Sequence, residues 1–406
     1  MIKLADYKKE IYSSALSIQE QLVEYRRFLH QNPELSMDLP ITSNFVKEKL
    51  TEMGYTTVDC GKSGVLAIAG GKETGKVFLI RGDMDALPIK EEVDLEFKST
   101  NENMHACGHD LHTAMLLGAA KILKEREDEI EGTIKLMFQP AEETFLGAKS
   151  MIAAGILENP TVDAASMIHV MSGISIPAGK IMIPEPGLAS AASDWFEIHI
   201  KGKGGHGAMP NDSIDPLNIA SHLHIALQVI NSRELSPAEN AVLTVGILKG
   251  GTTSNVIPDT AELHGTIRTF NPEIREFIKK RIIEISDYTA KAFRGEAEVK
   301  IIDGCPSLDN SKNLVDAAEV YLGELLGQEN VLSMSELGGG KMSGSEDFAY
   351  VSEKVPSLMI GLSAGLTIDG NKYPMHHPKV VFDESVLHIG AATHAYMAMK
   401  WLSDNK

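Results

Sequence analysis

The chain has 406 residues, enough for two to three domains of about 150 residues each, so it can bury a core without disulfide or metal staples. Its 38 basic and 56 acidic residues give a formal net charge of −18, which offers no general positive field to nucleic acid or anionic lipid. We therefore expect no nucleic acid and no membrane among its partners. Its hydrophobic content of 43% and charged content of 23% are typical of a globular protein.

Three cysteines, Cys60, Cys107 and Cys305, are scattered along the chain. This odd and sparse set argues against a secreted disulfide framework and for a reducing compartment, in which a thiolate can bind a metal or act as a nucleophile. The first residues lack the apolar core of a signal peptide, and no apolar run in the sequence approaches the roughly 18–20 residues of a membrane-spanning helix. We therefore predict a cytoplasmic protein.

Helical and strand patterns alternate in the first part of the chain. A helical stretch ends at Asn32-Pro33, because proline disfavours helical geometry in the residue before it, and a second helix is predicted over residues 42–53. Four short apolar runs, separated by helical segments such as 111–124 and 145–154, have the composition of buried strands. Together they predict an α/β fold with a mostly parallel sheet. The four runs are residues 77–80, 133–138, 165–168 and 358–360.

The middle of the chain has a different pattern. From Asp194 the predicted order is strand, helix, strand, strand, helix, strand, which is a ferredoxin-like α+β arrangement. A self-contained module of this kind indicates an insertion over residues 189–303. Its predicted elements are a strand with Phe196, Ile198 and Ile200 alternating, a helix over 214–233, strands over 242–248 and 261–269, a helix over 272–293 and a strand over 296–302.

Polar clusters follow the predicted strands, at the edge where open α/β sheets bind ligands. Cys107 and His109 stand immediately before a helix, and in a turn that enters a helix both side chains can converge on a metal ion. Glu142 and Glu143 follow the second strand, where one carboxylate can bind a metal while the other transfers protons. A structural interpretation stays open for each cluster, because histidines can cap helices and glutamates can complement a helix dipole.

Two further histidines, His169 and His376, end or follow strands at the same predicted edge. The candidate ligands then outnumber those that one tetrahedral ion needs, so a two-metal site with water-filled positions is the better fit. The candidates are Cys107, His109, Glu143, His169 and His376.

Several motifs of this sequence occur together in one known family. They are Arg81-Gly-Asp-Met-Asp-Ala-Leu-Pro88, His105-Ala-Cys-Gly-His-Asp110, Gln139-Pro-Ala-Glu-Glu143, Gly202-Lys-Gly-Gly-His-Gly207 and Ser345-Glu-Asp-Phe348. With them the chain resembles the M20 metallopeptidase family, specifically its amidohydrolase branch, which includes hippurate hydrolases, N-acetyldiaminopimelate deacetylases and auxin-conjugate hydrolases. The resemblance extends from the segment that begins at Arg26 to the region of His376.

The resemblance implies a dinuclear metallohydrolase with a catalytic domain formed by residues 1–188 and 304–406 and a lid or dimerisation domain over 189–303. Glu142 would be the general base, and Asp83 would orient a ligand histidine. One departure is visible after His169, where the family often has proline and this chain has Met171-Ser172. The implied metal ligands are Cys107, which we expect to bridge both ions, with His109, Glu143, His169 and His376.

Under the same resemblance the inserted segment contributes three site residues. His206 resembles the histidine that reaches the active site of the partner subunit and stabilises the oxyanion, which requires a homodimer or a higher homo-oligomer. Asn255 and Arg268 resemble residues that hold the substrate carboxylate, a task that suits the planar fork of arginine.

We therefore predict a metal-dependent amidohydrolase that cleaves the amide bond of small N-acyl amino acids. Two divalent ions would lower the pKa of a bridging water, and Glu142 would accept its proton and return it to the leaving nitrogen. The ligand types favour zinc or manganese and leave cobalt or nickel open. The alternatives are an M20-type dipeptidase or aminopeptidase acting on peptide-like substrates, and a non-catalytic peptide- or metal-binding protein.

Two other motifs predict functions that their context argues against. The string Gly202–Gly207 fits a dinucleotide pattern, but no helix is predicted directly after it, as that site requires. The string Gly361-Leu-Ser363-Ala-Gly365 fits the nucleophile elbow of serine hydrolases and also follows a strand. Its continuation cannot form the helix that the elbow requires, so a serine hydrolase is a weak alternative.

Overall fold

The chain folds into two compact units, each with its own hydrophobic core. The computed structural model describes residues 4–71, 75–335, 341–342 and 344–406. Unit 2 contains the predicted insertion, 189–303, and also takes in residues 304–308 and the later segment 341–346. Unit 1 consists of Met1–Gly187, Asp309–Gly340 and Asp347–Lys406, and unit 2 of Leu188–Leu308 and Lys341–Glu346.

Ten α-helices lie in the described residues, and none of these helices combines the length and apolar composition that a bilayer crossing requires. Predicted helices are found with ends displaced by a few residues. They are α1 (Leu4–Ser17), α2 (Gln19–Gln31), α3 (Pro40–Glu52), α4 (His109–Glu125), α5 (Gly147–Ala153), α6 (Pro216–Val229), α7 (Pro272–Ala292), α8 (Lys312–Leu326), α9 (Ala349–Ser352) and α10 (Leu387–Asp404).

The described residues also contain sixteen strands, several of them only two or three residues long. They are β1 (Val58–Asp59), β2 (Val65–Gly70), β3 (Lys76–Asp83), β4 (Gly132–Gln139), β5 (Ala164–Met171), β6 (Ile181–Ile183), β7 (Gly187–Leu188), β8 (Ala192–Lys201), β9 (Gly205–His206), β10 (Ala241–Gly250), β11 (Val256–Ile257), β12 (Thr260–Thr269), β13 (Glu296–Asp303), β14 (Asp309–Asn310), β15 (Val331–Ser333) and β16 (Ser357–Ser363).

Unit 1 is organised around an eight-stranded sheet with the order β1-β2-β4-β3-β5-β16-β6-β15. Its central strands β4, β3, β5 and β16 are parallel to one another and contain the four apolar runs predicted as strands. At the flanks, β2 pairs antiparallel with β4, and β6 pairs antiparallel with β16. The sheet is therefore mixed: its central pairs and the β6–β15 pair are parallel, as the prediction of a mostly parallel sheet requires, and antiparallel pairs flank the centre.

Helix α4 carries part of the candidate site and is almost entirely buried in unit 1. It packs against β3 and against α10. A Cβ at Gly118 of α4 would lie 2.8 Å from the Cβ of Ala391 in α10, so glycine permits the close approach of these two helices. The tight packing fixes α4 on the sheet.

Unit 2 contains a four-stranded antiparallel sheet with the order β10-β12-β8-β13, and α6 and α7 contribute to its core. The chain order β8, α6, β10, β12, α7, β13 is the order predicted from the sequence. Both helices begin with a proline preceded by a capping residue, since the side chains of Asp215 and Asn271 accept hydrogen bonds from the first turns. The role of this unit as a lid or dimerisation domain stays a prediction.

Candidate metal centre

The candidate site lies in unit 1, at the carboxyl-end edge of the parallel strands β3, β4 and β5. Asp83 is the last residue of β3, and His169 lies near the end of β5. Glu142 and Glu143 come shortly after β4, which ends at Gln139. The carboxyl ends of parallel strands lie along one edge of a sheet, so residues far apart in sequence meet there.

Cys107 and His109 reach this edge through the turn that begins α4. Gly108 has φ +85° and directly precedes His109, the first residue of the helix. A Cβ at this position would collide with the Val170 side chain and lie 3.2 Å from Phe382 Cζ. The turn therefore requires glycine both for its backbone conformation and for space.

We expect Gly108→Ala to destabilise unit 1 more than Gly155→Ala does. Gly155 has φ +87°, and a Cβ added there would have nothing within 4 Å, so its substitution costs about 1–2 kcal/mol of backbone strain. Gly108→Ala adds overpacking of about 1–3 kcal/mol. Denaturant unfolding of the two variants measures the difference in the free energy of unfolding, and equal losses would contradict the assignment of a steric role to this turn.

Cys107 belongs to two groups of potential metal ligands. Ligand atoms of Cys107, His109 and His169 lie within 4.8 Å of one another, and so do those of Cys107, Glu143 and His376. Cys107 Sγ lies 3.6 Å from His169 Nε2 and 3.3 Å from His376 Nε2. His376 Nε2 lies 3.4 Å from Glu143 Oε1. The five predicted ligands are thus brought together, with Cys107 common to both groups.

The donor atoms in these groups suit metal ions. His109 Nε2 and Glu143 Oε1 are buried atoms that have no hydrogen-bond partner within the described part of the chain, although they lie 3.9 Å apart. Buried polar atoms are normally paired, so two such atoms facing each other indicate a missing partner. Thiolate, imidazole and carboxylate groups together are ligands of first-row transition ions.

The charges of the site favour the anionic forms of two ligands. Burial and Glu143 raise the pKa of the Cys107 thiol, but His169 and His109 lower it to about 6. Burial also raises the pKa of Glu143, whereas the nearby His376 ring lowers it below its usual value. Thiolates and carboxylates are the metal-binding forms of these groups. Cys107 and Glu143 in turn raise the pKa of His376 to about 10, so a metal ion would displace a proton from this ring.

His376 reaches the site from a loop rather than from a helix or strand. Its backbone has φ +65°, and its N–H donates to the carbonyl of Ala106 at 2.9 Å, which ties the loop to the residue before Cys107. A left-handed conformation at a non-glycine residue is typical of functional sites, where surrounding structure holds it in place. The His376 side chain is 52% exposed, so one side of the centre is open.

Asp85 holds three parts of the site together. Its carboxylate accepts hydrogen bonds from the N–H groups of Glu142 at 2.9 Å and Glu143 at 3.2 Å. Its backbone carbonyl lies 2.8 Å from His109 Nδ1 and accepts from that ring, which leaves Nε2 of His109 for a metal. This role of Asp85 was not predicted from the sequence, although the residue follows Asp83 by two positions in one of the motifs.

Asp83, predicted to orient a ligand histidine, contacts His112 and Arg81. His112 Nδ1 lies 2.5 Å from Asp83 Oδ1, and the Val170 N–H donates to His112 Nε2 at 2.9 Å. Both nitrogens of His112 are therefore engaged, and it supports the site instead of offering a ligand atom. Burial raises the pKa of the Asp83 carboxyl, but the neighbouring Arg81 guanidinium holds it well below its usual range. Asp83 Oδ2 also lies 3.6 Å from His109 Nε2.

Glu142 lies beside the candidate ligands and is nearly buried. Its carboxylate, that of Glu143 and a ring nitrogen of His109 lie within 4.8 Å of one another. The Asp347 N–H points at Glu142 Oε1 from 3.4 Å. Ala141 and Phe145, on either side of the two glutamates, have φ +54° and +56°, so a tight backbone turn presents the pair. A carboxylate in this position can accept a proton.

The three remaining predicted residues lie in unit 2. His206 is in β9 and pairs with Val256 of β11, and the carbonyl of the adjacent Asn255 accepts a hydrogen bond from the Gly207 N–H at 2.9 Å. The Ala208 N–H donates to His206 Nδ1 at 3.1 Å, so the neutral ring carries its proton on Nε2 and can donate it outward.

Arg268 lies in β12 and is half-buried. Its Nη1 atom is buried and makes no hydrogen bond within residues 4–71, 75–335, 341–342 and 344–406. A guanidinium with an unpaired buried nitrogen can accept an anionic ligand such as a carboxylate.

The strings that fit a dinucleotide pattern and a nucleophile elbow have neither geometry in the structure. Ser363 ends β16, and its hydroxyl donates to the carbonyl of Ile176 at 3.0 Å. The Gly202–Gly207 string contains β9 and is separated from α6 by a short 3₁₀ turn over Pro210–Asp212. Neither string leads directly into a helix, so the structure gives neither the elbow nor the dinucleotide geometry.

Comparison with known proteins identifies the family. The profile of the peptidase family M20/M25/M40 matches residues 79–400. The chain is 39% identical to an N-acetyl-L-cysteine deacetylase of Bacillus subtilis (strain 168), with 96% of this chain and 90% of that protein covered. It is 38% identical to the IAA-amino acid hydrolase ILR1-like 4 of Arabidopsis thaliana, with 95% and 86% covered.

A solved Bacillus subtilis structure described as a dinuclear metal binding peptidase from the M20 family is also similar. It superimposes with a TM-score of 0.80 at 33% sequence identity, and 95% of this chain and 99% of that chain are covered. The likeness therefore includes unit 1 and unit 2 and is not limited to the metal-binding motifs.

Proposed function

We infer that this chain, which belongs to the peptidase family M20/M25/M40, is a metal-dependent amidohydrolase that cleaves the amide bond of N-acyl amino acids. The observation that carries the proposal is the position of Cys107, whose sulfur is common to two groups of ligands. The names of two relatives indicate substrates of the same chemical class, in which an acyl group is joined to an amino acid through an amide bond. The shared chemistry of these substrates supports the substrate class that we propose for this chain.

Cys107, His109 and His169 would hold one divalent ion, and Cys107, Glu143 and His376 would hold the other. When bound, the ions supply a Lewis acid for the amide carbonyl and a water molecule of lowered pKa. The mixture of thiolate, imidazole and carboxylate ligands favours zinc or manganese. The similar structure described as dinuclear supports two ions.

Glu142 would act as the general base and then as the general acid. Its carboxylate accepts the proton of the attacking water and returns it to the leaving nitrogen. His206 would donate a hydrogen bond from Nε2 to the oxyanion of the tetrahedral intermediate. This role for His206 follows the family pattern in which the residue serves a partner subunit, so we also propose a homodimer.

Arg268 and Asn255 would bind the carboxylate of the substrate. We expect Arg268→Lys to raise KM for N-acetyl amino acids by about 10–100-fold, because lysine cannot reproduce a bidentate charge-assisted contact worth about 1.5–3 kcal/mol. Hydrolysis of the corresponding N-acetyl amino acid amides, which lack the carboxylate, is the matched control. An equal KM increase for acids and amides would contradict carboxylate binding by Arg268.

The proposal is tested by a substrate panel offered to metal-reconstituted protein. N-acetyl, N-benzoyl and longer N-acyl amino acids are compared with dipeptides that carry a free amino group. We expect hydrolysis of acylated amino acids with kcat/KM at least about tenfold above that of dipeptides of matched side chains, because acylation removes an ammonium group that has no assigned acidic partner. The reverse order would identify a dipeptidase, and an inert metal-replete protein would favour the non-catalytic alternative.

A further inference from the structure

The segment that begins at Arg26 has no role in the proposed mechanism, although Arg26 is buried and contacts Asp110, the residue after His109. Arg26 is fully buried on α2, and its Nε donates to Asp110 Oδ2 at 2.8 Å. His30, one turn further along α2, lies with Nδ1 2.8 Å from the same Asp110 oxygen. Asp110 is fully buried and directly follows His109 at the start of α4.

His30 also contacts a second carboxylate on its other side. Its Nε2 lies 3.2 Å from Glu91 Oε1, and the other oxygen of Glu91 accepts the N–H of Ser99 at 2.8 Å. The next residue, Glu92, donates its N–H to the carbonyl of Pro378 at 2.9 Å. Pro378 lies two residues after His376, so this contact supports the loop that carries the exposed ligand.

The two carboxylates that His30 contacts, Asp110 and Glu91, are each connected to a candidate ligand, and these two ligands belong to different groups. On one side His30 contacts Asp110, which follows His109 in the chain. On the other side it contacts Glu91, whose neighbour Glu92 is hydrogen-bonded to the loop of His376. These ligands belong to separate groups that meet at Cys107. Arg26 joins the cluster to a further element, since its Nη1 donates to Glu384 at 3.1 Å.

We propose that Arg26 and His30 are positioning residues that fix the separation of His109 and His376, and so the spacing of the two metal-binding groups. The inference rests on the proposed function, because it takes these two histidines as metal ligands. Residues hydrogen-bonded directly to metal ligands commonly change metal affinity by about 10–100-fold when they are removed. Arg26 and His30 act one contact further out, through carboxylates, so we expect the lower end of this range. The strained backbone of His376 makes such support necessary.

Arg27 provides a matched control on the same helix. Like Arg26, it donates to Glu384, at 2.7 Å, and its guanidinium lies 4.6 Å from the centre of the Phe97 ring. Unlike Arg26, its side chain is 42% exposed, and its hydrogen bonds go to Glu384 rather than to Asp110. Arg27→Lys therefore changes the same residue type without affecting the path to His109.

The test uses cobalt, whose thiolate charge-transfer band reports the geometry around Cys107. Metal-free wild type, Arg26→Lys, His30→Gln and Arg27→Lys are titrated with Co²⁺ against a competing chelator. We expect Arg26→Lys and His30→Gln to weaken cobalt binding by about tenfold and to alter the thiolate band. Arg27→Lys should change the affinity by less than about threefold, because a half-exposed ion pair contributes little.

Circular dichroism and thermal unfolding of the metal-free proteins show whether each variant folds. Wild-type cobalt affinity and spectrum in folded Arg26→Lys and His30→Gln would overturn the proposal. So would failure of both variants to fold, because the cluster would then be required for the fold itself. If wild type shows no thiolate band with cobalt, the proposed metal centre fails and the proposed function fails with it, which distinguishes that outcome from a failure of the positioning role alone.

Discussion

Glu142→Gln is expected to lower kcat for N-acyl amino acid hydrolysis by about 10²–10⁴-fold while leaving two metal ions bound. The amide has nearly the same shape as the carboxylate but cannot accept a proton, and a positioned general base contributes rate factors of this size. Glu142 lies within 4.8 Å of His109 and Glu143 without belonging to either group that contains Cys107. Its substitution should therefore remove proton transfer without removing a ligand.

Glu143→Gln is the control for this prediction. Glu143 has a buried oxygen without a hydrogen-bond partner among the described residues and lies 3.4 Å from His376 Nε2. We expect this variant to lose bound metal as well as activity. The two variants are separated by elemental analysis together with kcat, and near-wild-type turnover in a metal-loaded Glu142→Gln protein would contradict the proposed base.

Cys107→Ala is expected to remove both metal ions and to reduce hydrolysis by at least about 100-fold. The sulfur lies 3.6 Å from His169 Nε2 in one group and 3.3 Å from His376 Nε2 in the other. A ligand shared by two ions is needed by both. Metal content per chain after dialysis measures the effect directly.

His169→Ala and His376→Ala are the comparison variants for Cys107. Each histidine belongs to only one of the two groups that contain Cys107, so each substitution should release about one ion and leave the other bound. The contrast identifies the bridging ligand. If Cys107→Ala retained one ion while Glu143→Gln released both, the bridge would be the carboxylate and not the thiolate.

The central strands could be predicted from the sequence because their pattern is local. Residues 77–80, 133–138, 165–168 and 358–360 are continuous apolar runs, and they lie inside buried strands of the sheet. Runs of this kind predict buried strands from the local sequence alone, without information about the neighbouring strands. The carboxyl ends of these strands then located the edge where the candidate ligands meet.

The flanking strands could not be predicted in the same way. β6 and β15 have only three residues each, and β2 runs antiparallel to its neighbour β4. Segments this short form strands because a partner supplies their hydrogen bonds, and no local periodicity indicates that partner. The mixed character of the sheet therefore became visible only in three dimensions.

The residues that support the candidate ligands could not be predicted from local sequence either. His109 and Glu143 belong to recognisable motifs, whereas the part played by Asp85 depends on two backbone N–H groups that come from another strand end. His112 stands in the same motif region as His109, yet its ring is engaged by Asp83 and by the Val170 N–H. Sequence spacing gives the types of side chain at a site, and hydrogen bonds decide which of them is left for a ligand.

The most direct measurement is a metal titration of chelator-treated protein, with bound metal and amino acid release from an N-acetyl amino acid followed in the same samples. The proposed centre, with Cys107 common to two ligand groups, predicts no hydrolysis without metal and a rate that reaches its plateau as two ions bind per chain. Full hydrolysis by the metal-free protein, or no release of any amino acid from a panel of acyl amino acids at full metal occupancy, would contradict the account.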